Sequence, residues 1–252
     1  PGPLAMQLTY FGANGWLLEL AGQRLLLDPW LVGPLRFGGA GWLFEGTLPR
    51  EWPIPGDLDC LLLTQGLPDH AHPATLERLP KALPVVGSAA AVQQARRFGF
   101  TQSETLLPGA CLRRGPLQIQ ACAVAPVPQV ANGYLLRGSG ESLYVEPHGF
   151  LDPALPAEPL TAVITPVMDL GLPVAGAFVK GRAVVPQLLE RFTPAHLLAS
   201  TAGGDVAYSG LLQQVLQAKA NSDQEQAQLA GRHPHTRFID PDPGHCYQLS
   251  AD

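Results

Sequence analysis

Two short segments of the sequence combine imidazole and carboxylate side chains closely enough to do chemistry together. The first contains Asp69, His70 and His72, and its His-Ala-His spacing would suit metal binding on an extended segment. The second contains Glu146 and His148. These five side chains could bind one divalent metal ion or supply an acid and a base. A structural explanation stays open beside these two, because Asp69 could hold its turn through backbone N–H groups and the Glu146 segment could be a tight turn.

Each of these segments follows a predicted buried strand. Residues 58–63 form a nearly continuous apolar run, and this run opens into the loop that contains the first segment. Pro73 suits the first turn of a helix that would follow the loop. Strands at 134–137 and 142–146 form a hairpin around the turn Gly138–Gly140, so the second segment begins where this hairpin ends.

The rest of the chain predicts two similar halves, each with a strand meander followed by alternating strands and helices. The first half opens with strands at 7–11, 16–20 and 23–27 and continues into a long loop at 30–56. Further strands are predicted at 85–86, 105–107, 117–124, 162–165, 196–199 and within 237–249, and helices at 73–79, 88–98, 174–192, 206–219 and, more loosely, 221–235.

The loop at 30–56 is rich in aromatic residues and contains Trp30, Trp42 and Trp52. Such side chains either fix a loop to the body of a domain or form a wall over a pocket. Trp30 and Trp42 are the residues we consider as candidates for a pocket wall.

Composition and charge exclude several classes of protein. With 15% charged residues, 27 glycines and 26 prolines in 252 residues, the chain is neither a coiled coil nor a long-helix bundle. The net charge of −5 offers no basic surface to a nucleic acid, and no apolar run approaches the roughly 18 to 20 residues that cross a bilayer. The four scattered cysteines lack Cys-x-x-Cys spacing, which favours a reducing compartment, and we predict a cytoplasmic protein.

We predict one domain over residues 6–252, because no sharp linker divides the two halves. Residues 1–5 precede Met6 and look like the remnant of an expression tag, and no secretory signal follows them.

Three features together resemble the metallo-β-lactamase fold superfamily: the meander that ends at 26–30, the strand and loop that end in Asp69-His70, and the hairpin at 132–145. The chain is most similar to the branch of short bacterial hydrolases that includes lactonases. The resemblance implies an α+β fold, a four-layer αββα sandwich with helices on the outer faces of two stacked sheets. It also implies two divalent metal ions, held by a His-x-His-x-Asp-His loop, a later histidine, a bridging aspartate and a final histidine.

The loop that would hold the metal ions departs from this pattern. Gln65 and Leu67 stand where the first two histidines are expected, whereas Asp69 and His70 match. A leucine cannot ligate zinc, and a glutamine amide is a poor zinc donor beside imidazole. We therefore predict that the first metal site is lost.

The remaining ligand positions also differ. No histidine lies between His72 and His148, so the third ligand of the first site is missing. Glu146 stands where the bridging aspartate is expected, and Thr201 lies where the final histidine is expected. We count Thr201 among the candidates for the pocket wall.

Asp28 ends a predicted strand near the expected cleft. The resemblance implies that a carboxylate at this position orients a metal-ligating histidine. In this chain its partner would be His70 or Gln65, and capping of the turn at Pro29 is an equal alternative.

These observations favour a non-hydrolytic binding or scaffold protein whose dinuclear metal site is eroded. Its partner would be a small molecule or another protein, and a homo-oligomer stays open. The alternative is a hydrolase with a reduced, mononuclear site that acts on a small ester, lactone or phosphoester. Its catalytic residues would be Asp69, His70 and His148, and one zinc, iron or manganese ion would be bound by Asp69, His70, His72, Glu146 and His148. A third hypothesis is a phosphodiesterase or nuclease, but the lack of basic patches disfavours this function.

Overall fold

The structure, a computed structural model, describes residues 5–37, 41–124, 131–172, 176–201, 203–211, 213, 217–219 and 223–251. The strands in these residues are β1 (Met6–Gly12), β2 (Gly15–Leu20), β3 (Gln23–Leu27), β4 (Leu35–Arg36), β5 (Glu45–Thr47), β6 (Cys60–Leu63), β7 (Val85–Gly87), β8 (Ser103–Thr105), β9 (Cys111–Arg114), β10 (Leu117–Cys122), β11 (Gly133–Gly138), β12 (Glu141–Val145), β13 (Ala162–Pro166), β14 (Asp169–Leu172), β15 (Gly176–Lys180), β16 (His196–Ser200), β17 (Ala207–Ser209), β18 (Gln217–Lys219), β19 (Arg237–Ile239) and β20 (Cys246–Leu249). The helices in the same residues are α1 (Pro73–Arg78), α2 (Ala89–Arg97), α3 (Gly181–Phe192) and α4 (Asp223–Arg232).

Two large sheets dominate the described part of the chain. One has the strand order β20-β1-β2-β3-β6-β7-β8, and the other has the order β19-β16-β13-β12-β11-β10-β9. One apolar cluster contains Leu18 and Leu25 from the first sheet together with Leu136, Leu143 and Ile164 from the second, and all five are buried. The two sheets therefore pack against each other through this shared core.

The helices cover the opposite faces of the sheets. Leu76 of α1 and Ala91 of α2 pack in one cluster with Leu61 and Leu63 of β6. On the second sheet, α3 packs in a separate cluster that includes Tyr144 of β12. The α+β class is confirmed, and these contacts support the predicted αββα order of layers. Among the described helices, none has both the length and the apolar character that a membrane span requires.

Local sequence signals explain several element boundaries near the site. The Ser88 side chain caps α2, which lies within the helix predicted at 88–98, by accepting a hydrogen bond from the Ala91 N–H at 3.3 Å. Pro73 occupies the start of α1, where its missing N–H costs nothing. The hairpin of β11 and β12 turns at Ser139 and Gly140, with φ angles of 54° and 84°, and this confirms the predicted turn.

The predicted helix at 174–192 is wrong in its first part. Strand β15 occupies Gly176–Lys180 and pairs with β14, and α3 begins only at Gly181. Residues 173–175 lie outside the described residues. A Cβ on Gly181 would lie 2.3 Å from the carbonyl oxygen of Pro166, so a side chain at this helix start would collide with the end of β13. Pairing with β14 outweighs the helical pattern that the sequence shows.

The helix predicted at 206–219 is also wrong over residues 207–209 and 217–219, although the described residues 211 and 213 are helical. Residues 207–209 form β17, which pairs with β5, and residues 217–219 form β18. Residues 212 and 214–216 lie outside the described residues. Gly210 has a φ of 105°, and a Cβ there would lie 2.6 Å from the Leu43 carbonyl oxygen, so this close approach needs glycine. The predicted loop at 30–56 accordingly contains two short strands, β4 and β5, which pair with each other, and β5 also pairs with β17.

Candidate functional site

The site forms where loops leave parallel strands at one edge of the two sheets. Asp28 follows β3, and the loop 64–72 follows the parallel neighbour β6. In the other sheet, His148 follows β12, which is parallel to β13. Loops that leave the carboxyl ends of parallel strands meet at the same edge, and ligand sites commonly form there. The structure connects five predicted residues through side-chain contacts: Asp28, His70, Asp69, His148 and Gln65.

His70 lies between two carboxylates. Its Nδ1 is 2.7 Å from Oδ2 of Asp28, and its Nε2 is 3.2 Å from Oδ2 of Asp69. The imidazole is only 2% exposed. Both ring nitrogens can donate only when the ring is protonated, so this geometry fits an imidazolium bridging two aspartates. His70 was one of the two partners that the sequence left open for Asp28.

The two carboxylates determine the protonation of His70. Burial alone would disfavour the charged ring, but the charges of Asp69 and Asp28 outweigh it and raise the pKa of His70 to about 10. For Asp69, burial alone would raise the pKa of the carboxyl, and the positive charge of His70 reverses this and lowers it. His70 and Asp69 therefore hold each other in their charged forms.

Asp28 is fixed by more than His70. Its Oδ1 accepts a hydrogen bond from the Thr64 N–H at 2.7 Å, and its Oδ2 accepts one from the Thr64 hydroxyl at 2.5 Å. Asp28 is almost fully buried and has a φ of 39°, a left-handed conformation that aspartate tolerates better than most residues. The carboxylate thus ties the end of β3 to the start of the loop that carries His70.

His148 lies beside His70 with its ring centroid 5.9 Å away. Its Nε2 is 3.3 Å from Nε2 of Gln65, and because an amide NH₂ only donates, His148 accepts at this nitrogen. Burial, and then the positive charge of His70, lower the pKa of His148 to about 4, although Asp69 opposes this. A neutral imidazole and a protonated one therefore lie side by side.

The Glu146 carboxylate contacts the backbone of its own turn, and its role as a metal ligand stays a prediction. Its two carboxylate oxygens accept hydrogen bonds from the backbone N–H groups of His148 and Gly149, both at 2.6 Å. Burial raises the pKa of this carboxyl to about 7, although the backbone donors favour its charged form. Glu146 therefore shapes the turn that positions His148, as the structural explanation of this segment anticipated.

Replacement of Glu146 by alanine tests this role. Two buried N–H groups would lose their acceptor, so we expect the free energy of unfolding to fall by about 1–3 kcal/mol. Amide hydrogen exchange should show protection lost at His148 and Gly149. Glu158→Ala is the control, because that glutamate is partly exposed and paired with Arg137 at the surface. Equal protection at these two amides in both variants would contradict the assignment.

His72 makes contacts of its own, and its place in the predicted ligand set stays a prediction. Its Nε2 donates to the Pro34 carbonyl oxygen at 3.1 Å, and its Nδ1 is the side-chain acceptor that caps α1 at the Thr75 N–H. Its ring packs near Trp30, with centroids 5.8 Å apart. His72 is buried, with 2% of its surface exposed. Both ring nitrogens thus have structural partners.

The predicted tryptophan wall is not formed. Trp30 is completely buried in an apolar cluster, and its Nε1 donates to the Gly33 carbonyl oxygen at 2.8 Å. Trp42 is 71% exposed and lies at the surface. Trp30 and Trp52 fix their loop to the body of the protein, which was the other interpretation of these aromatic residues.

Sequence reasoning missed two residues that the structure brings to the site. Asn14 lies in the turn between β1 and β2, and its Nδ2 donates to the Asp69 carbonyl oxygen at 3.4 Å. The same Nδ2 is 3.3 Å from Nε2 of His70, but both groups are donors when the ring is protonated, so this second contact is not a hydrogen bond. The Tyr208 ring stacks on Phe44, and burial followed by the charge of Asp69 raises the pKa of its phenol to about 12. Asn14 lies between the strands predicted at 7–11 and 16–20, and nothing in the sequence showed which loop this asparagine would meet.

Three buried polar atoms at this edge have no hydrogen-bond partner in the described part of the chain. They are Oδ1 of Asn14, Oδ1 of Asp69 and Oγ1 of Thr201. Thr201 is joined to the Asn14 turn because its N–H donates to the Ala13 carbonyl oxygen at 2.9 Å. Thr201 also has a φ of 80°, which is strained for a β-branched residue. Buried polar atoms normally have hydrogen-bond partners. Three unpaired polar atoms at one edge of the sheets therefore indicate a missing hydrogen-bonding partner.

The side chains present do not fit the two metal ions that the fold implies. Leu67 has no donor atom, and its side chain is 50% exposed. Both oxygens of Glu146 are used by backbone N–H groups, and the His70 ring lies between Asp28 and Asp69. Across the residues that the structure describes, no three His, Cys, Asp or Glu side chains are grouped as metal ligands. Metal binding by Asp69, His70 and His148 stays a prediction.

Comparison with known proteins identifies the family. The family described as "Beta-lactamase superfamily domain" matches residues 7–201, which include every site residue from Asn14 to Thr201. The chain belongs to this family, and its fold is the metallo-β-lactamase fold.

Solved structures of similar fold include several hydrolases. An isothiocyanate hydrolase from Delia radicum gut bacteria is 16% identical, with a TM-score of 0.69 over 98% of this chain and 100% of that one. Igni18, a metallo hydrolase from Ignicoccus hospitalis, is 15% identical, with a TM-score of 0.65 over 96% of this chain and 97% of that one. CmlA, a diiron β-hydroxylase from Streptomyces venezuelae, is 16% identical, with a TM-score of 0.64 over 99% of this chain and 55% of that one. At these identities the likeness shows the fold alone.

One curated protein matches in sequence over a shorter stretch. It is named as a Rieske 2Fe-2S iron-sulfur protein of Mycolicibacterium smegmatis and is 36% identical over 74 residues. The match spans 29% of this chain and 14% of that relative.

Proposed function

We propose that this chain is a non-hydrolytic binding protein built on the metallo-β-lactamase fold, with a metal-independent site for a small ligand. The observation that carries the proposal is the position of His70. The ring nitrogen that would face a metal ion, Nε2, is 3.2 Å from the Asp69 carboxylate, while Nδ1 is held by Asp28. The imidazolium of His70 supplies the positive charge between the two carboxylates, where a metal cation would otherwise supply it.

The orphaned atoms indicate the chemistry of the ligand. Asn14 Oδ1 and Asp69 Oδ1 can only accept hydrogen bonds, and Thr201 Oγ1 can accept as well as donate. Gln65 and His148 adjoin them and are already hydrogen bonded to each other. A ligand that satisfies these acceptors must present several hydrogen-bond donors, as hydroxyl, amide or amine groups do. We therefore propose a small, donor-rich polar molecule as the ligand.

The cysteines support the cytoplasmic location that we propose. All four are free, and Cys60 and Cys122 are buried. Unpaired thiols are typical of proteins kept in a reducing compartment.

A second candidate function rests on the two histidines. His70, protonated, and His148, neutral, lie with ring centroids 5.9 Å apart, and neighbouring groups with opposite protonation are the arrangement of an acid and base pair. In this reading the chain hydrolyses a small ester, lactone or phosphoester. His148 would accept the proton of the attacking water, and His70 would donate to the leaving group.

Metal content separates binding without metal from the mononuclear hydrolase. We expect protein purified without chelator to contain well under one zinc, iron or manganese ion per chain by elemental analysis. We also expect its melting temperature not to change when a chelator is added. About one ion per chain that is lost in His70→Ala but kept in His235→Ala, a control at an exposed histidine, would overturn the proposal.

Turnover and binding complete the test. We expect no hydrolysis of generic ester, lactone and phosphodiester substrates above the rate of the His70→Ala and His148→Ala variants. Hydroxyl- and amide-bearing fragments screened by NMR should shift the side-chain signals of Asn14 and the amide of Thr201, and Thr201→Val should weaken this binding. Turnover that both histidine variants abolish would establish the second candidate in place of the first.

A further inference from the structure

A second cavity lies away from this site, between the start of α3 and the end of α4. Its volume is about 360 Å³, which is within the range of roughly 300–1,000 Å³ for small-molecule sites. None of the site residues described above lines it. The lining includes Asp169, Arg182, Pro186, Gln228, Leu229 and Arg232.

Each of the two helices lines this cavity with residues from one of its faces. Arg182 and Pro186 are four residues apart on α3, and Gln228 and Arg232 are four residues apart on α4, so each pair lies on one side of its helix. Leu229 of α4 packs against the apolar cluster that contains residues of α3. This contact fixes the spacing between the helices and therefore the width of the cavity.

Charge is concentrated in this cavity. Arg182 and Arg232 bring two guanidinium groups to one space, in a chain whose net charge is −5. The facing carboxylate, Asp169, accepts a hydrogen bond from the backbone N–H of Arg182 at 3.0 Å and so caps α3. In the described part of the chain, the Arg232 side chain has no ion-pair or hydrogen-bond partner. An anion in this cavity would meet the positive charge of Arg232.

We propose that this cavity binds a small organic phosphate. A phosphate monoester carries about two negative charges near pH 7, and arginine forks bind phosphate oxygens in pairs of hydrogen bonds. Gln228 adds an amide that can donate to an ester or phosphate oxygen. Pro186 and Leu229 form an apolar wall for the organic part, which inorganic phosphate lacks. The site is independent of the proposed function at His70.

Titration calorimetry with phenyl phosphate and with inorganic phosphate tests this assignment. We expect saturable binding of phenyl phosphate at a one-to-one ratio, with weaker binding of inorganic phosphate. Arg232→Gln and Arg182→Gln should each raise the dissociation constant about tenfold or more, since each removes charge-assisted hydrogen bonds. Arg97→Gln is the matched control, because Arg97 is an exposed arginine in the last turn of a different helix, α2.

The outcomes of this binding experiment do not depend on the results of the experiments at the His70 site. Equal dissociation constants in Arg97→Gln, Arg232→Gln and Arg182→Gln would overturn the proposal, and so would the absence of saturable binding by the native chain. Inorganic phosphate that binds as tightly as phenyl phosphate would overturn the part assigned to the apolar wall. All three arginines are at least partly exposed, so the melting temperatures of the variants should match and the comparison should not reflect unfolding.

Discussion

Replacing Asp28 by asparagine should lower the free energy of unfolding by about 3–5 kcal/mol, because it removes one partner of a buried ion pair. The side chain would no longer compensate the charge on His70, 2.7 Å away. The asparagine NH₂ would face the Thr64 N–H if it replaced Oδ1, or both the His70 Nδ1–H and the Thr64 hydroxyl if it replaced Oδ2. Urea denaturation followed by circular dichroism measures the change. An unchanged slope of the free energy of unfolding against urea concentration would show that the denatured state is the same.

Asp57→Asn provides the matched control. Asp57 is also an aspartate at a left-handed position, with a φ of 53°, but it is exposed. The backbone preference of asparagine is therefore the same in both variants, and only the buried contacts differ. Equal stability changes in the two variants would show that the Asp28–His70 pair contributes nothing beyond the turn conformation.

The stability of the native chain should fall steadily between pH 7 and pH 9 because of His70. The pKa of this ring is about 10 in the folded protein and about 6.5 when unfolded. Between these values the folded chain keeps a proton that the unfolded chain has lost, so raising the pH favours unfolding by up to about 1.4 kcal/mol per pH unit. This contribution is complete below pH 6.5 and disappears as the pH rises through 10.

A His70→Gln variant should be less stable at pH 7 and should lack this slope. His235→Gln, at an exposed histidine, should keep the slope of the native chain. Urea denaturation at pH 7, 8 and 9 compares the three proteins. Parallel pH profiles for the native chain and His70→Gln would contradict the protonated state of His70.

Below pH 7 two other groups act in opposite directions. The Glu146 carboxyl has a folded pKa of about 7, so the stability it contributes is present at low pH and is lost as the pH rises toward 7. His148 has a folded pKa of about 4, so its contribution is present at pH 6.5 and is lost as the pH falls through 4. The range from pH 7 to 9 is therefore the clearer one in which to observe His70.

Sequence reasoning succeeded where the local chain decides the structure. Three features depend on neighbours within a few residues: the apolar run that forms β6, the helix cap at Ser88 and the turn at Ser139-Gly140. The pairing of Asp28 with His70 was anticipated as one of two partners, because it follows from the resemblance to a fold in which these loops meet.

It failed where distant strands or loops decide the structure. Residues 176–180 pair with β14 and residues 207–209 pair with β5, and neither partner was visible in the pattern of apolar residues. His72 and Glu146 have the right chemistry for metal ligands, but the Pro34 carbonyl and the backbone of residues 148–149 occupy them instead. Side-chain type shows what a residue can bind, whereas its neighbours in the fold determine what it does bind.

The position of Leu67 has a consequence for protein engineering. Its carbonyl oxygen accepts hydrogen bonds from the N–H groups of His70 and Ala71, at 3.0 and 2.8 Å, while its side chain faces solvent. A histidine introduced there would extend its imidazole into water, so placing histidines at positions 65 and 67 would not by itself recreate a catalytic centre. The path of the main chain through residues 65–69 would have to be rebuilt as well, which makes this loss of ligands hard to reverse by point substitution.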